Sequence, residues 1–178
     1  AGACALPSFF IYSYYFWKKD IEKGYYLKDP EYYRRQIFQQ FIFEVNQIHT
    51  RITQSAYTNL IIMDRNYITE LFGDRQFPDG TYVIDCIEEI IEHQKVYMEV
   101  ESNIRNQVFH TFPVYTYALL FQDGKFVDEE FARWCNKQNL NWYDSNFYIG
   151  DSVTNLASCC RMLNDLTKQK QFQSSIGG

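Results

Sequence analysis

The sequence predicts an α/β fold with parallel strand pairing, on two observations. Short β-branched runs alternate along the chain with longer segments whose apolar residues recur at helical spacing. No linker, low-complexity tract or internal repeat divides that alternation. Strands separated by helices pair in parallel, because a crossover helix returns the chain to the same end of the sheet.

In chain order, an aromatic helix follows Pro7 and runs to about Lys23, where Gly24 is its C-cap. KDPEYYRRQ then reads as a helix start, with Asp29 as N-cap, Pro30 in the first turn and Glu31 beside the positive end of the dipole. Its buried stripe is Tyr33, Ile37, Phe38, Phe41, Val45 and Ile48. TNLIIM, Thr58 to Met63, reads as a buried strand, followed by a short helix to Phe72 and a loop with Pro-Asp-Gly as its turn. Val83, Ile84, Ile87, Ile90, Ile91, Gln94, Tyr97 and Met98 mark one face of a long helix reaching about Asn106. A second strand covers Val114 to Phe121, entered through Pro113, and Asp128 caps a helix to about Gln138. A third strand, Asn146 to Ile149, leads into a Gly-Asp-Ser segment, and the polar and small residues up to the cysteine pair predict a loop from Gly150 to Asn164 projecting from the strand end. Three strands make a small sheet, and with the termini AGACALP and SSIGG they predict a piece of something larger.

Composition narrows the function. The apolar fraction is 46% and the aromatic fraction 19%, so the chain buries many flat side chains whose tyrosine hydroxyls need partners. The net charge is −5 and no basic run exceeds Lys18-Lys19 or Arg34-Arg35, which excludes a dedicated nucleic-acid binder. LPSFFIYSYYFW is too short to span a bilayer and is not a signal peptide, so neither a membrane nor a nucleic acid is an expected partner. Five irregularly spaced cysteines suit a reducing compartment and predict a cytoplasmic protein.

Of those cysteines, Cys86 and Cys135 fall within helices and read as small core hydrophobes. ASCCRMLND differs: Cys159 and Cys160 are adjacent and precede Arg161. Neighbouring Cα atoms lie about 3.8 Å apart, less than an unstrained disulfide spans. No CxxC or paired-histidine partner set makes the pair half of a zinc site. Two readings stay open, buried packing or a reactive thiol after a strand end, where Arg161 could lower a thiol pKa or bind phosphate. QSAYTN sets Gln54, Ser55, Thr58 and Asn59 ahead of and into a buried strand, either as turn chemistry or as a cavity lining. His49, His93 and His110 lack partners at metal or triad spacing, with His110 opening a strand. Glu88, Glu89 and Glu92 form a solvated helix face, and no Gly-rich phosphate loop is present.

Taken together, AGACALPSFF, EYYRRQIFQQFIFEVNQ, TQSAYTNLIIMDRNYITELFG, FPDGT, TFPVYTYALL and SNFYIGDSVTNLASCCRML followed by SSIGG resemble the anaerobic (class III) ribonucleoside-triphosphate reductases, in that family's order and across essentially the whole chain. The resemblance implies that residues 1–178 are a single segment of a catalytic ten-stranded α/β barrel of the glycyl-radical-enzyme type, with a finger loop inside it. It implies that Cys160, just before an arginine, is the thiol at the loop tip, with Cys159 beside it. A glycyl radical oxidises that thiol to a thiyl radical, which removes the 3′-hydrogen of a ribonucleotide while the 2′-hydroxyl leaves as water. Gln54, Ser55, Thr58, Asn59 and Asn146 are expected to point their polar groups into the space of the finger loop, because they stand at strand ends, where ligands gather in α/β sheets, and with Arg161 they are the expected substrate-binding residues. The implied partners are a ribonucleoside triphosphate, the remaining reductase polypeptide, a radical-SAM activase and, when complete, a second copy in a homodimer. These residues carry no Arg-Val-x-Gly-Tyr radical segment, no four-cysteine zinc site and no ATP cone, so the radical comes from polypeptide outside the segment and no metal is expected within it. The competing reading is a non-catalytic remnant or assembly module that keeps part of the barrel.

Overall fold

The computed structural model describes residues 3–47, 55, 57–153, 155–157 and 163–165. Its elements are β1 (Ala3–Leu6), α1 (Phe9–Glu22), α2 (Pro30–Val45), β2 (Tyr57–Met63), α3 (Arg65–Phe72), a 3-10 turn at Val83–Cys86 running into α4 (Ile87–Arg105), β3 (Val114–Gln122), β4 (Lys125–Phe126), α5 (Glu129–Trp142), β5 (Asn146–Gly150), β6 (Asn155–Ala157) and β7 (Leu163–Asp165). The main sheet runs β1-β2-β3-β5 with every neighbour parallel, and β4 folds back antiparallel on the end of β3. The predicted parallel α/β layout is therefore present, with a fourth parallel strand, β1, beyond the three expected.

Helix starts follow their caps. Asp29, Asp64 and Asp128 each accept the backbone N–H three residues on, at 2.7, 2.8 and 3.1 Å, satisfying a donor the first turn leaves free. Gly24 stands at φ 74° just past α1, a left-handed position where a Cβ would be strained. The α5 helix runs past the expected Gln138 and stops at Tyr143, which takes the left-handed conformation itself.

Tyr97 on α4 is the hub of the helical layer. Its fully buried ring meets Phe10 of α1 and Phe38 of α2 edge-on, with centroids 5.1 and 5.0 Å apart. Its hydroxyl pairs with that of Tyr115 on β3 at 3.4 Å, which answers the need of a buried phenol. Gln94, also fully buried, donates to the Met63 carbonyl and accepts from the Met63 N–H, so one side-chain amide fastens α4 to the end of β2. On α2 the deepest residues are Phe38 and Ile42. Ile48, the last of the predicted stripe, lies outside the described residues.

Candidate functional site

Strand alternation gives the sheet two chemically different faces. Tyr115 and Tyr117 of β3 point at the helices, Tyr115 beside Tyr97 and Tyr117 edge-on to Trp134 of α5. The opposite face carries Asn59 and Ile61 on β2, Thr116 and Ala118 on β3, and Asn146 and Tyr148 on β5; the registers set Ile61, Thr116 and Asn146 level, with Asn59 one step back beside Val114. Asn59 is 2% exposed, so its amide needs a partner, and its Nδ2 donates to Thr116 Oγ1 at 3.2 Å. Thr116 stands level with Asn146, whose side chain is exposed. Asn59, Thr116 and Asn146 thus form a polar diagonal on the face opposite Tyr115 and Tyr117, at the end away from Tyr148 and α3.

The structure places Asn59 and Asn146 on one face of the sheet, on either side of β3, but separates Thr58 from them. Thr58 is adjacent to Asn59 on the same strand and so projects from the other face, where Cys4 Sγ lies 3.9 Å from its Oγ1. Ser55 is half-buried just ahead of β2. Gln54, Cys159, Cys160 and Arg161 lie outside the described residues. The diagonal also stands at the amino ends of β3 and β5, whereas ligands of open α/β sheets gather at carboxyl ends. Grouping these residues by strand end therefore had the wrong polarity; the shared face is what unites them. Thr116 was not singled out in the sequence, because a threonine inside VYTYALL looks like ordinary strand filling until its register beside Asn146 and its side-chain contact with Asn59 are known.

The segment after β5 was expected to be a loop from Gly150 to Asn164. Its described parts instead include an antiparallel ladder, with Asn155 opposite Asp165, Leu156 opposite Asn164 and Ala157 opposite Leu163. All three pairs are centred on position 160. The β6 strand lies against β3 and β5, the two strands that present Thr116 and Asn146. At the base of this hairpin Gly150 sits beneath the hydroxyl of Tyr67, and Gln122 Nε2 donates to the Asp151 carbonyl at 3.0 Å.

The remaining candidates separate cleanly. Cys86 and Cys135 are buried, and burial pushes the Cys135 thiol far up, which keeps it protonated and inert. Glu88, Glu89 and Glu92 are exposed, and Glu88 joins Asp128 in holding Arg65. His93 is a core residue, 1% exposed, with Ser13 Oγ 3.1 Å from its Nε2 and Tyr14, Trp17 and Phe38 around the ring. Burial first, then the Arg34 charge, holds its pKa well below the ordinary 6.5. His110 does not open a strand: it lies buried ahead of β3, 3.2 Å from the buried Glu101 that pairs with Arg105, and Arg105 in turn holds Asp144 just before β5. His49 lies outside the described residues. Among the described residues no group of three His, Cys, Asp or Glu side chains could hold a metal ion, and no helix is long and apolar enough to cross a membrane.

The family model for anaerobic ribonucleoside-triphosphate reductase matches residues 1–177. The chain belongs to that family. Solved structures agree: the anaerobic ribonucleotide reductase of Thermotoga maritima with citrate in the active site is 45% identical, with a TM-score of 0.80 over 86% of this chain and 28% of that one. The same enzyme in complex with dATP and CTP gives 46% identity and a TM-score of 0.82 over 89% of this chain and 26% of that one. With MES in the active site it gives 45% identity and 0.82 over 92% and 27%. No curated protein matches the sequence. The chain thus spans about a quarter of the reductase structures it matches, and its α/β sheet is a fragment of the glycyl-radical-enzyme barrel.

Proposed function

We propose that this chain is the part of an anaerobic ribonucleotide reductase that presents the hydrogen-atom-carrying thiol to a ribonucleoside triphosphate. The observation that carries the reading is the hairpin after β5, whose three pairs are centred on Cys160 within a chain matched to the reductase family along residues 1–177. Cys160 is assigned as the hydrogen-atom carrier and Cys159 as its packing neighbour. The glycyl radical, supplied by polypeptide beyond this segment, provides the one-electron oxidation of the thiol. The residues of this chain hold the substrate and keep the reacting sulfur away from water.

Asn59, Thr116 and Asn146 are assigned to the substrate side, since they set amide and hydroxyl groups on the sheet face opposite Tyr115 and Tyr117, on the strands that β6 lies against. The Asn59 amide and the Thr116 hydroxyl hold each other, with Nδ2 3.2 Å and Oδ1 3.4 Å from Oγ1, so the two side chains are placed before a sugar hydroxyl or phosphate oxygen arrives. Gln54, Ser55 and Arg161 complete the proposed set; Thr58 supports β2 from behind. The Thermotoga maritima relative in complex with dATP and CTP is consistent with nucleotides as substrate and effector classes. A radical-SAM activase and a homodimer are the proposed partners of the complete enzyme, in the cytoplasm.

The test is made in the assembled, activated enzyme. Cys160→Ser is expected to abolish deoxynucleotide formation while nucleotide binding persists. Full turnover by that variant would remove the functional reading.

A further inference from the structure

The strand-to-hairpin junction is built more tightly than a solvent loop requires. Gly150 ends β5, and a Cβ placed on it would stand 2.6 Å from the Tyr67 hydroxyl and 3.0 Å from the Ser152 carbonyl oxygen. Real Cβ contacts are not that short, so an alanine here forces something to move. Tyr67 has little room to yield: it is fully buried on α3, its ring meets Tyr148 edge-on at 6.4 Å, and its own N–H is capped by Asp64. Asp64 also accepts the Leu120 N–H at 2.8 Å, which ties the start of α3 to β3. The Tyr67 hydroxyl reaches the Ser152 carbonyl at 3.4 Å, a long bond, so its main effect is shape. Burial, then the charge of neighbouring groups, pushes its pKa up, which keeps it a donor at working pH. From the other side Gln122, at the end of β3, donates to the Asp151 carbonyl.

We propose that Tyr67 and Gln122 are positioning residues that grip residues 150–152 and so aim the β6–β7 hairpin. The proposal rests on the reading of that hairpin as the thiol carrier and adds the device that sets its direction. Hydrogen-atom transfer demands close approach, and a misplacement of about 1 Å can cost about a hundredfold in rate. A glycine with no room above it, a rigid phenol and one amide clamp give the hairpin a single direction of departure.

The experiment uses the full-length reductase and two readouts. The first is kcat and KM after activation. The second is the rate of iodoacetamide labelling at positions 159 and 160 before activation, resolved by peptide mass spectrometry, with Cys86 and Cys135 as buried internal references. Gly150→Ala is expected to lower kcat about a hundredfold with KM held within about twofold. The same variant is expected to speed labelling of the cysteine pair roughly three- to tenfold, the effect of losing one contact of hydrogen-bond size. Tyr67→Phe removes the obstructing oxygen, so Tyr67→Phe/Gly150→Ala is expected to recover at least about tenfold of the lost kcat, a non-additive rescue.

Labelling at the wild-type rate in Gly150→Ala, or a double variant no better than the product of the singles, overturns the proposal. If Gly150→Ala does not accumulate, Tyr67→Phe alone decides, because unchanged labelling and kcat in that variant also overturn it. The labelling arm scores the hairpin base without catalysis, so its failure is distinct from failure of the functional reading, which is decided by Cys160→Ser.

Discussion

Acid should loosen the helical layer through His93. The imidazole is buried among Ser13, Tyr14 and Trp17 of α1 and Phe38 of α2, with the Arg34 guanidinium stacked on Trp17 nearby. Burial and that positive charge hold the folded pKa well below 6.5, so the open chain binds the proton first. The sign follows from linkage: a depressed folded pKa leaves stability intact above 6.5 and removes it as pH falls, until the folded pKa is reached. At pH 5.5 the opened imidazole is about ten-to-one protonated, which costs the closed form about 1.4 kcal/mol, a tenfold change in opening. Hydrogen exchange of the 87–105 peptide in the full-length protein, corrected for intrinsic rates, measures it. Protection should fall about fivefold between pH 6.5, where the opened imidazole is already half protonated, and pH 5.5, while His93→Phe should flatten that slope even if it weakens protection overall through the lost Ser13 contact. A wild-type slope that His93→Phe leaves unchanged would refute the assignment of the effect to this ring.

Other perturbations test other joints. Asp64→Ala removes the cap of α3 and leaves the buried Leu120 N–H unpaired, so it should cost about 2–4 kcal/mol in urea unfolding, and Asp64→Asn should not restore it fully, because its one oxygen accepts from only one of the two N–H groups. Gln94→Leu should cost a similar amount of about 2–4 kcal/mol, since it strands both the N–H and the carbonyl of Met63 in the core. The 178-residue chain by itself should self-associate, because β1 and β5 each have a parallel neighbour on one side only among the described residues. Light scattering behind size exclusion reads this directly, and a monomer with a sharp cooperative transition would contradict it.

What the sequence disclosed follows from how local each signal is. Asp29 and Asp128 announced their helices because capping is decided within four residues, and Gly24 announced an end for the same reason. The β1 strand, ACAL, was missed: it has no β-branched residue, and only its pairing with β2 makes it a strand. Tyr143 was missed as a helix stop because a tyrosine in the left-handed region carries no signature, and α5 overran the prediction by four residues. The ladder of Asn155–Ala157 with Leu163–Asp165 was invisible, since strands of three residues are too short to show a period. The error over Thr58 is of another kind. Alternation alone puts Thr58 and Asn59 on opposite faces, so the information was present and was overridden by grouping polar residues together. The family resemblance located the cysteine pair, whereas the Asn59–Thr116–Asn146 diagonal needed the strand registers.

The most direct measurement compares two sulfur-to-oxygen exchanges one residue apart. Serine matches cysteine closely in size, but an alcohol O–H bond is too strong to relay a hydrogen atom. Cys159→Ser should cost only the modest stability of placing a more polar group where a thiol packed. In the activated, full-length enzyme, deoxynucleotide formation should vanish in Cys160→Ser and persist in Cys159→Ser, with nucleotide binding retained in both. The reverse pattern would show that the wrong sulfur was chosen, and turnover by both variants would contradict the account of this hairpin as the carrier of the reactive thiol.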